Sequence, residues 1–304
     1  MPDENLILTP SGRFPEGLTG PEDGFVTRSR GAGGWRTDAA TDPYPDHLGK
    51  ETSLPTALIT GAGSGLGAEY ARQLAARGAD LILVGRDPAA LEEVAGPLRA
   101  RVDVEVLRAD LVDPRERARV EARLADEEHP VDLLVNNAGF GLPLAFETND
   151  IEDEARHLAL HVEVPMRLTH AALGPMLARG RGRILNVASV AAFMPRSTYG
   201  ACKLWLVSFS RWANAVYRPR GVTVTAVCPG YTHTDFHARL GLPPGQEGVP
   251  GWMWLEARDV VRLSLRDVAR GSAVSVPTLR YRILTTLVRV LPDRLSARLG
   301  MTGR

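Results

Sequence analysis

The stretch from Leu54 to Gly67 reads LPTALITGAGSGLG, a short apolar run followed directly by a glycine-rich loop. A helical pattern continues from this loop through Leu74 to Gly78. In such a strand–loop–helix unit, backbone N–H groups and the positive helix end can hold a pyrophosphate, and glycine permits its close approach. The spacing Gly61, Gly65, Gly67 differs from the commoner G-x-G-x-x-G, and a tight connection that binds no ligand is the alternative interpretation.

The rest of the chain alternates short apolar runs with helical patterns, which predicts a parallel sheet covered by helices on both faces. The predicted strands are 54–60, 81–84, 102–107, 131–135, 183–187, 222–227 and 273–276, and the later helices are 88–99, 114–128, 150–178, 199–217 and 256–270. We therefore expect an α/β fold over residues 53–278. It would be a single Rossmann-like domain with three α/β/α layers and a doubly wound parallel sheet.

Composition excludes several classes of protein. The chain has 304 residues, 44% of them apolar, and its 36 basic and 36 acidic residues leave no formal net charge. Nucleic-acid binding needs a basic surplus, so we expect no such partner. The two cysteines, Cys202 and Cys228, read as small buried residues and make neither a disulfide framework nor a metal site. The absence of a long apolar run and of a signal-peptide pattern predicts a soluble, cytoplasmic protein.

Two terminal segments differ from the predicted domain. The first fifty residues contain eight Gly and six Pro, which predicts a flexible extension over residues 1–52. Residues 279–304 read as an amphipathic helix and tail, with arginines around one apolar face. That face contains Leu279, Ile283, Leu284, Leu287, Val288 and Leu291. We expect it to dock on protein, and contact with a membrane surface is the alternative.

Polar residues follow the predicted strands at their carboxyl ends, where ligands bind in doubly wound sheets. Arg86 and Asp87 follow the second strand. An Arg here favours the 2′-phosphate of NADP(H), while the acidic residue beside it leaves NAD(H) as the alternative cofactor. Asp110 and Leu111 follow the third strand, and Asn136-Asn137-Ala138-Gly139 ends the fourth.

Tyr199 and Lys203 lie four residues apart in a predicted helix, so their side chains lie one turn apart on the same face. A nearby ammonium lowers the pKa of a phenol from its ordinary value of about 10 toward the neutral range. Such a pair can move a proton on or off an alcohol or ketone oxygen.

Together these motifs resemble the short-chain dehydrogenase/reductase family. The matching residues are Thr60-Gly61-x-x-x-Gly65-x-Gly67, Asn136-Asn137-Ala138-Gly139, Ser189, Tyr199-x-x-x-Lys203 and Pro229-Gly230, in the family's order. The match extends from about Leu54 to Val276. The resemblance implies hydride transfer between a nicotinamide and a carbonyl or alcohol carbon. It also implies a homodimer or homotetramer.

The resemblance assigns roles by position. Tyr199 would be the acid/base, Lys203 would lower its pKa and hold the nicotinamide ribose, and Ser189 would hydrogen-bond the substrate oxygen. The implied cofactor-binding residues are Gly61, Ser64, Gly65, Leu66, Gly67, Arg86, Asp110, Leu111, Asn137, Ala138, Gly139, Tyr199, Lys203, Pro229, Gly230 and Thr234. No metal is implied.

The chain departs from the family's pattern at two places. His161 stands where the family usually has an Asn that completes a proton relay. Imidazole also donates and accepts hydrogen bonds, so we include His161 among the catalytic candidates, with an ordinary helix histidine as the alternative. Ser189 and Tyr199 are only ten residues apart, so the loop from Val190 to Thr198 must be compact.

The predicted function is an NADP(H)-dependent oxidoreductase for an apolar carbonyl or alcohol substrate. A loop rich in Gly and Pro after Thr234 leads to Trp252-Met253-Trp254-Leu255, a region that covers the substrate in the family. The alternative is that both tryptophans anchor the following helix to the core. The alternative function is a catalytically weak nucleotide-binding scaffold or redox sensor, which His161 and the short loop favour and the intact Ser189, Tyr199 and Lys203 oppose.

Overall fold

The computed structural model describes residues 55–195, 197–234, 236 and 249–290, without the side chains of residues 289 and 290. The predicted extension over residues 1–52 lies outside these ranges. So do Leu54, at the predicted start of the first strand, and Leu291 in the C-terminal segment.

Seven parallel strands form one sheet in the order β3-β2-β1-β4-β5-β6-β9. These strands are β1 (Thr56–Thr60), β2 (Asp80–Gly85), β3 (Val104–Arg108), β4 (Leu133–Asn136), β5 (Gly182–Val187), β6 (Val222–Val227) and β9 (Val274–Ser275). Two short strands, β7 (Thr232–His233) and β8 (Leu255–Glu256), pair with each other beside it. All seven predicted strands are present, with ends shifted by up to two residues.

Helices connect the strands on both faces of the sheet. They are α1 (Gly65–Ala75), α2 (Pro88–Leu98), α3 (Pro114–Ala125), α4 (Ile151–Leu158), α5 (Val164–Ala178), α6 (Thr198–Tyr217), α7 (Ala257–Ala269) and α8 (Leu279–Val290). One core cluster joins α1, α2 and α7 to the sheet, for example through Leu74, Leu91 and Val261. A second joins α3, α5 and α6 to the other face. The predicted three-layer, doubly wound, Rossmann-like fold is therefore confirmed.

The strand order reverses between β1 and β4. From β1 the chain moves outward to β2 and β3, and from β4 it moves the other way to β5 and β6. At such a switch point the connections diverge and leave a crevice outside the carboxyl ends of the strands. The glycine loop after β1 and the Asn-rich end of β4 face this crevice together.

The long helix predicted over residues 150–178 is present as a helical segment from Ile151 to Ala178, but its α-helical geometry is interrupted. A π-helical segment, Ala159–Glu163, separates α4 from α5, and the Val164 amide donates to the Ala159 carbonyl five residues earlier. Pro165 comes next and has no amide hydrogen for the His161 carbonyl, so the ordinary α-helical bond is lost there. The wider turn changes which side chains of the helix face the edge of the sheet. Single π-helical turns of this kind occur frequently at functional sites.

The C-terminal helix α8 docks on the domain, but the predicted apolar face is not the docking face. Tyr281 and Thr285 are its buried side chains, whereas Leu279, Ile283, Leu284 and Leu287 are exposed. Periodicity locates the apolar stripe of a helix, but it does not show that hydrogen bonds from polar residues attach the opposite side to the domain. No helix among the described residues has both the length and the apolar character needed to cross a bilayer.

Candidate active site

A cavity of about 650 Å³ opens at the carboxyl ends of the strands. Every predicted site residue except Gly67 lines it, including the candidate acid/base Tyr199, its neighbours Ser189 and Lys203, and His161. The fold therefore brings together residues that are up to 173 positions apart, from Gly61 to Thr234. Among the described residues, no group of three or more His, Cys, Asp or Glu side chains is placed to hold a metal ion.

Close backbone packing explains why the loop after β1 needs glycine. Gly61 has a φ of +65°, and a Cβ atom there would lie 2.9 Å from the Ala138 Cα. A Cβ on Gly67 would lie only 2.1 Å from the Gly61 carbonyl oxygen. Gly67 thus lets α1 pack on the loop and does not itself line the cavity. The sequence pattern had placed all three glycines of the motif on the ligand.

Asn137 joins the end of β4 to the glycine loop. Its side-chain amide donates to the carbonyls of Thr60 (2.9 Å) and Gly61 (3.2 Å). In return, the Thr60 hydroxyl accepts from the backbone amides of Asn137 (2.9 Å) and Ala138 (3.0 Å). These four bonds set the width of the crevice between the two strands.

Arg86 and Asp87, at the end of β2, have different tasks. The Asp87 carboxylate caps α2 by accepting from the amides of Ala89 (2.9 Å) and Ala90 (3.3 Å). Arg86 is exposed on the cavity wall and forms no ion pair with another described residue. Its guanidinium is thus available to a ligand, whereas the acidic group beside it is engaged in helix capping.

Arg156, from α4, is a cavity residue that the sequence analysis missed. Its Nη2 atom lies 3.6 Å from Oδ2 of Asp110, and both residues line the cavity. The two positions are far apart in the chain, so only the packing of α4 beside the end of β3 reveals the pair. Together with Arg86 it places two guanidinium groups at this end of the cavity, called the basic end below, although Asp87 and Asp110 leave it without net charge.

Tyr199, Ser189 and Lys203 lie together at the floor of the cavity. The Ser189 hydroxyl accepts from the Ala191 amide (3.1 Å) and lies close enough to Tyr199 to lower the pKa of its phenol. A 3₁₀ turn, Val190–Phe193, shortens the connection enough for this contact despite the ten-residue spacing. The Lys203 Nζ atom is buried, donates to the Val187 carbonyl at 2.7 Å, and lies 5.5 Å from the Tyr199 ring centroid.

The direction of the Tyr199 pKa is opposite to the expectation from sequence. Burial raises it from 10.0 to about 12, and the Ser189 hydrogen bond offsets only part of that rise. Burial also lowers the pKa of Lys203 from 10.5 to about 8. The spacing of the two residues predicted their proximity correctly, but not that low-dielectric surroundings would disfavour both charged forms. Tyr199 is consequently held as a neutral proton donor at neutral pH.

His161 is buried beneath the same site. Its Nε2 atom lies 2.8 Å from the carbonyl oxygen of Phe140 and 3.2 Å from that residue's amide nitrogen. One nitrogen cannot donate to the first and accept from the second at once, and the shorter contact favours Nε2–H donating to the carbonyl. A Cβ on Gly139 would lie 2.4 Å from the His161 ring, so glycine there makes room for it.

A small cavity separates His161 from Lys203. It is about 10 Å³ in volume and is also lined by Thr60 and Asn136. The Nδ1 atom of His161 and the Oδ1 atom of Asn136 are buried without a hydrogen-bond partner among the described residues. A space of roughly this volume, with polar groups on several sides, is about what one water molecule needs.

A second histidine, His157, packs against His161 with ring centroids 4.4 Å apart. Burial lowers the pKa of His157 to about 4, and burial together with Lys203 and His157 holds that of His161 well below its ordinary value. Both rings are therefore neutral near pH 7. The buried Cys202 lies behind them, its sulfur 4.0 Å from His157 Nδ1, with a pKa raised by burial.

The wall opposite the basic end is apolar. Five side chains that the sequence analysis did not single out form it: Phe140, Leu142, Leu144, Met194 and Phe236. The Phe236 ring lies 5.9 Å from that of Tyr199, centroid to centroid. Trp252 and Trp254 do not line the cavity, and Trp254 instead stacks on His233 at 4.8 Å. The structure thus favours anchoring for Trp254, whereas Trp252 is exposed and neither lines the cavity nor packs on the core.

A family model described as short chain dehydrogenase matches residues 55–243. This chain belongs to the short-chain dehydrogenase/reductase family. Oxidoreductase UcpA of Escherichia coli strain K12 is 35% identical over 210 residues, which are 66% of this chain and 79% of that protein. Membership makes the protein an oxidoreductase that acts between alcohol and carbonyl groups with an NAD(P) cofactor.

Two solved structures are similar to this short-chain dehydrogenase. One is a short-chain dehydrogenase from Sphingobium yanoikuyae in complex with NADPH, 35% identical with a TM-score of 0.71; the match covers 82% of this chain and 95% of that one. The other is the bulky-bulky ketone specific alcohol dehydrogenase from Comamonas testosteroni. It is 32% identical with a TM-score of 0.68, and the match covers 82% and 94% of the two chains.

The burial of Lys203 makes a prediction about stability and pH. Its pKa is about 8 in the folded protein and about 10.5 when the chain unfolds. Between these pH values Lys203 is protonated in the unfolded chain but neutral in the folded protein. Burial of the charged lysine therefore lowers the free energy of unfolding most below pH 8. This destabilisation decreases as the pH rises toward 10.5. Lys203→Met removes the titration while keeping most of the volume.

We expect the free energy of unfolding of the wild type, relative to Lys203→Met, to increase by roughly 2 kcal/mol between pH 7 and about pH 9.5. Urea unfolding of both proteins at the two pH values measures this change. A difference between the proteins that stays constant with pH would show that Lys203 does not titrate in this range.

Proposed function

We propose that the protein is an NADP(H)-dependent oxidoreductase of bulky apolar ketones and the corresponding secondary alcohols. The observation that carries the proposal is the division of one cavity into two ends. An exposed Arg86 and Arg156 lie at one end, and the Tyr199–Ser189 pair lies under an apolar wall at the other. The end with the two arginines suits a charged dinucleotide, and the apolar end suits an apolar carbonyl compound.

The residues at the basic end fit a dinucleotide. The loop from Gly61 to Gly65 presents the amino end of α1 to the cavity, where backbone N–H groups favour a pyrophosphate. Arg86 would bind a 2′-phosphate, since the Asp87 carboxylate beside it is engaged with α2. The remaining contacts would come from Ser64, Leu66, Asp110, Leu111, Asn137, Ala138, Gly139, Pro229, Gly230 and Thr234, with Tyr199 and Lys203 on the ribose.

The bound nicotinamide supplies the hydride, and the protein supplies position and the proton. Ser189 would donate a hydrogen bond to the substrate carbonyl and hold it beside Tyr199. Tyr199, kept neutral by burial, would give its proton to that oxygen as negative charge develops on it. Lys203 would stabilise the resulting phenolate with its ammonium group.

We further propose that His161 positions the water molecule of a proton relay behind this site, because its Nδ1 atom can accept a hydrogen bond from that water. Its buried Nδ1 atom and the small cavity next to Lys203 support a route from the lysine through one water molecule to the imidazole. Neutral His161 can accept a hydrogen bond at Nδ1 while Nε2–H remains bonded to the Phe140 carbonyl.

The apolar wall supports a large substrate. Aromatic and aliphatic side chains cover the space around Tyr199, and the residues of this wall that the structure describes, Phe140, Leu142, Leu144, Met194 and Phe236, offer no positive charge to a carboxylate. The similar enzyme from Comamonas testosteroni is described as specific for bulky-bulky ketones, which agrees with this choice of substrate class.

We also propose that the enzyme is a homo-oligomer. Leu204, Trp212 and Val216 are 51%, 55% and 43% exposed along α6, although a helix of a monomer normally turns such residues inward. Family members commonly pair through this part of the fold.

Replacement of Tyr199 by Phe tests the proton donor. We expect kcat for reduction of a diaryl or long-chain ketone with NADPH to fall by about 10²–10⁴-fold, because the phenol is lost while the ring remains. NADPH binding, measured by fluorescence, should weaken far less than kcat falls, because the variant loses only one of the proposed ribose contacts. The proposal fails if wild type and Tyr199→Phe consume NADPH at equal rates across a panel of such ketones.

Arg86→Asp tests the choice of cofactor. Loss of the phosphate partner and the added repulsion should lower the ratio of kcat/KM for NADPH to that for NADH by roughly tenfold or more. Arg101→Asp, an exposed arginine outside the cavity, is the matched control and should leave the ratio unchanged. Equal ratios for wild type and Arg86→Asp would rule out this residue as the phosphate partner.

His161→Ala tests the relay. We expect kcat to fall roughly tenfold or more, with a larger solvent deuterium isotope effect and an unchanged Kd for NADPH. His161→Asn should recover part of the rate, because its amide can also donate and accept. His170→Ala, an exposed histidine on α5, is the control. A loss of rate without any change in isotope effect, and without rescue by Asn, would assign His161 a purely structural role.

A further inference from the structure

Helix α8 has an inner face that is fixed to the domain. The Tyr281 hydroxyl accepts from the Tyr231 amide at 3.1 Å and donates to the Met253 carbonyl at 2.8 Å. Arg282 adds bonds to the Val276 carbonyl (3.0 Å) and to the buried Asp267 carboxylate (3.3 Å). With Tyr281 only 2% exposed, the helix cannot rotate without breaking a set of buried hydrogen bonds.

The opposite face of α8 is apolar and uncovered. Leu279, Ile283 and Leu287 recur every four residues and are 71%, 53% and 55% exposed. Leu284 borders this stripe at 38% exposure. Since the inner face is fixed, the fold provides no way to bury the outer stripe against the described domain. An exposed, continuous apolar stripe on a soluble domain usually marks a site of interaction with another molecule.

An exposed aromatic residue lies next to the first turn of α8. Trp252 is 64% exposed, and its backbone carbonyl accepts from the Arg280 guanidinium on the first turn of α8. Arg280 also donates to the Trp254 carbonyl at 3.0 Å, so this turn is held against the segment that carries Trp252. We refer to Trp252, Leu279, Ile283, Leu284 and Leu287 as the α8 surface.

Charge is distributed unevenly around the α8 surface. Residues 279–304 contain six arginines and one aspartate, although basic and acidic residues are balanced at 36 each in the whole chain. On α8 itself, Arg280 is exposed beside the apolar stripe and keeps its positive charge, since its hydrogen-bond partners are backbone carbonyls, whereas Arg282 is paired with the Asp267 carboxylate. A helix with an apolar face, a basic flank and a nearby exposed tryptophan combines the features that bind the headgroup region of an anionic bilayer.

We propose that the α8 surface docks the enzyme on the anionic lipid surface of a membrane. A second copy of the chain is the less suitable occupant, because it would bring two strongly basic segments together. The position of the helix suits an enzyme of apolar substrates. Tyr281 packs against Gly230, where a Cβ would lie 2.0 Å from its ring, and both Gly230 and Tyr231 line the active-site cavity. The docked face is thus one helix away from the site that would receive a lipophilic ketone.

Vesicle flotation of the full-length protein tests the proposal. The probes are phosphatidylcholine vesicles with and without phosphatidylserine, at low and high salt. We expect wild-type protein to float with the phosphatidylserine vesicles at low salt, to float less at high salt, and to stay at the bottom with phosphatidylcholine alone. Ile283→Asp should reduce recovery with the anionic vesicles roughly tenfold or more, since it places a carboxylate in the apolar stripe.

Ile151→Asp is the matched control, because Ile151 is 66% exposed on α4, remote in sequence from α8. It should float like the wild type, and both variants should keep wild-type NADPH binding and reduction of a water-soluble ketone, which shows that they are folded. This readout is independent of the substrate class proposed above. Failure of the wild type to float, or equal flotation of both variants, would overturn the proposal. Dissociation of an oligomer by Ile283→Asp, without a change in flotation, would instead identify a second copy as the occupant.

Discussion

The site depends on the hydrogen bonds that hold the end of β4 against the glycine loop. Thr60, Gly61, Asn137 and Ala138 exchange four bonds across the point where the strand order reverses. Their backbones approach so closely that a single Cβ on Gly61 or Gly67 would collide with backbone atoms. Because these groups are at least partly buried, each unmade bond would cost about 1–3 kcal/mol. The crevice that holds a dinucleotide therefore has its width set by the protein's own contacts.

Burial governs the chemistry on the other side of the crevice. It raises the pKa of Tyr199, lowers that of Lys203 and keeps His157 and His161 neutral. Of these four titratable side chains, only Lys203 carries charge at neutral pH, where it is still largely protonated. A neutral, positioned phenol is suited to giving a proton to a developing alkoxide, and the neutral imidazole of His161 is suited to holding a water molecule behind it.

The π-helical segment connects these two parts. By inserting an extra residue between α4 and α5, it places His161 beside Gly139, directly after the bonded end of β4. The same segment keeps His157 in contact with His161 and leaves Arg156 facing the cavity near Asp110. One local irregularity of the backbone therefore positions a residue of the basic end and two residues behind the acid/base.

Local pattern in the sequence was enough for the α/β fold, the order of the elements and the family. Short continuous apolar runs, helical patterns and the glycine loop are short-range signals, and the candidate residues follow strands whose carboxyl ends must meet. The tertiary structure alone decided what depends on burial and long-range contact. It set the direction of the Tyr199 pKa, the capping role of Asp87, the pairing of Arg156 with Asp110 and the packing role of Gly67.

The tertiary structure also decided which face of α8 is buried. Apolar periodicity favoured the leucine and isoleucine side, but the hydrogen bonds of Tyr281 and Arg282 fixed the other side to the domain. Solvation and pairing energies of this kind depend on neighbours distant in sequence, which no local pattern contains.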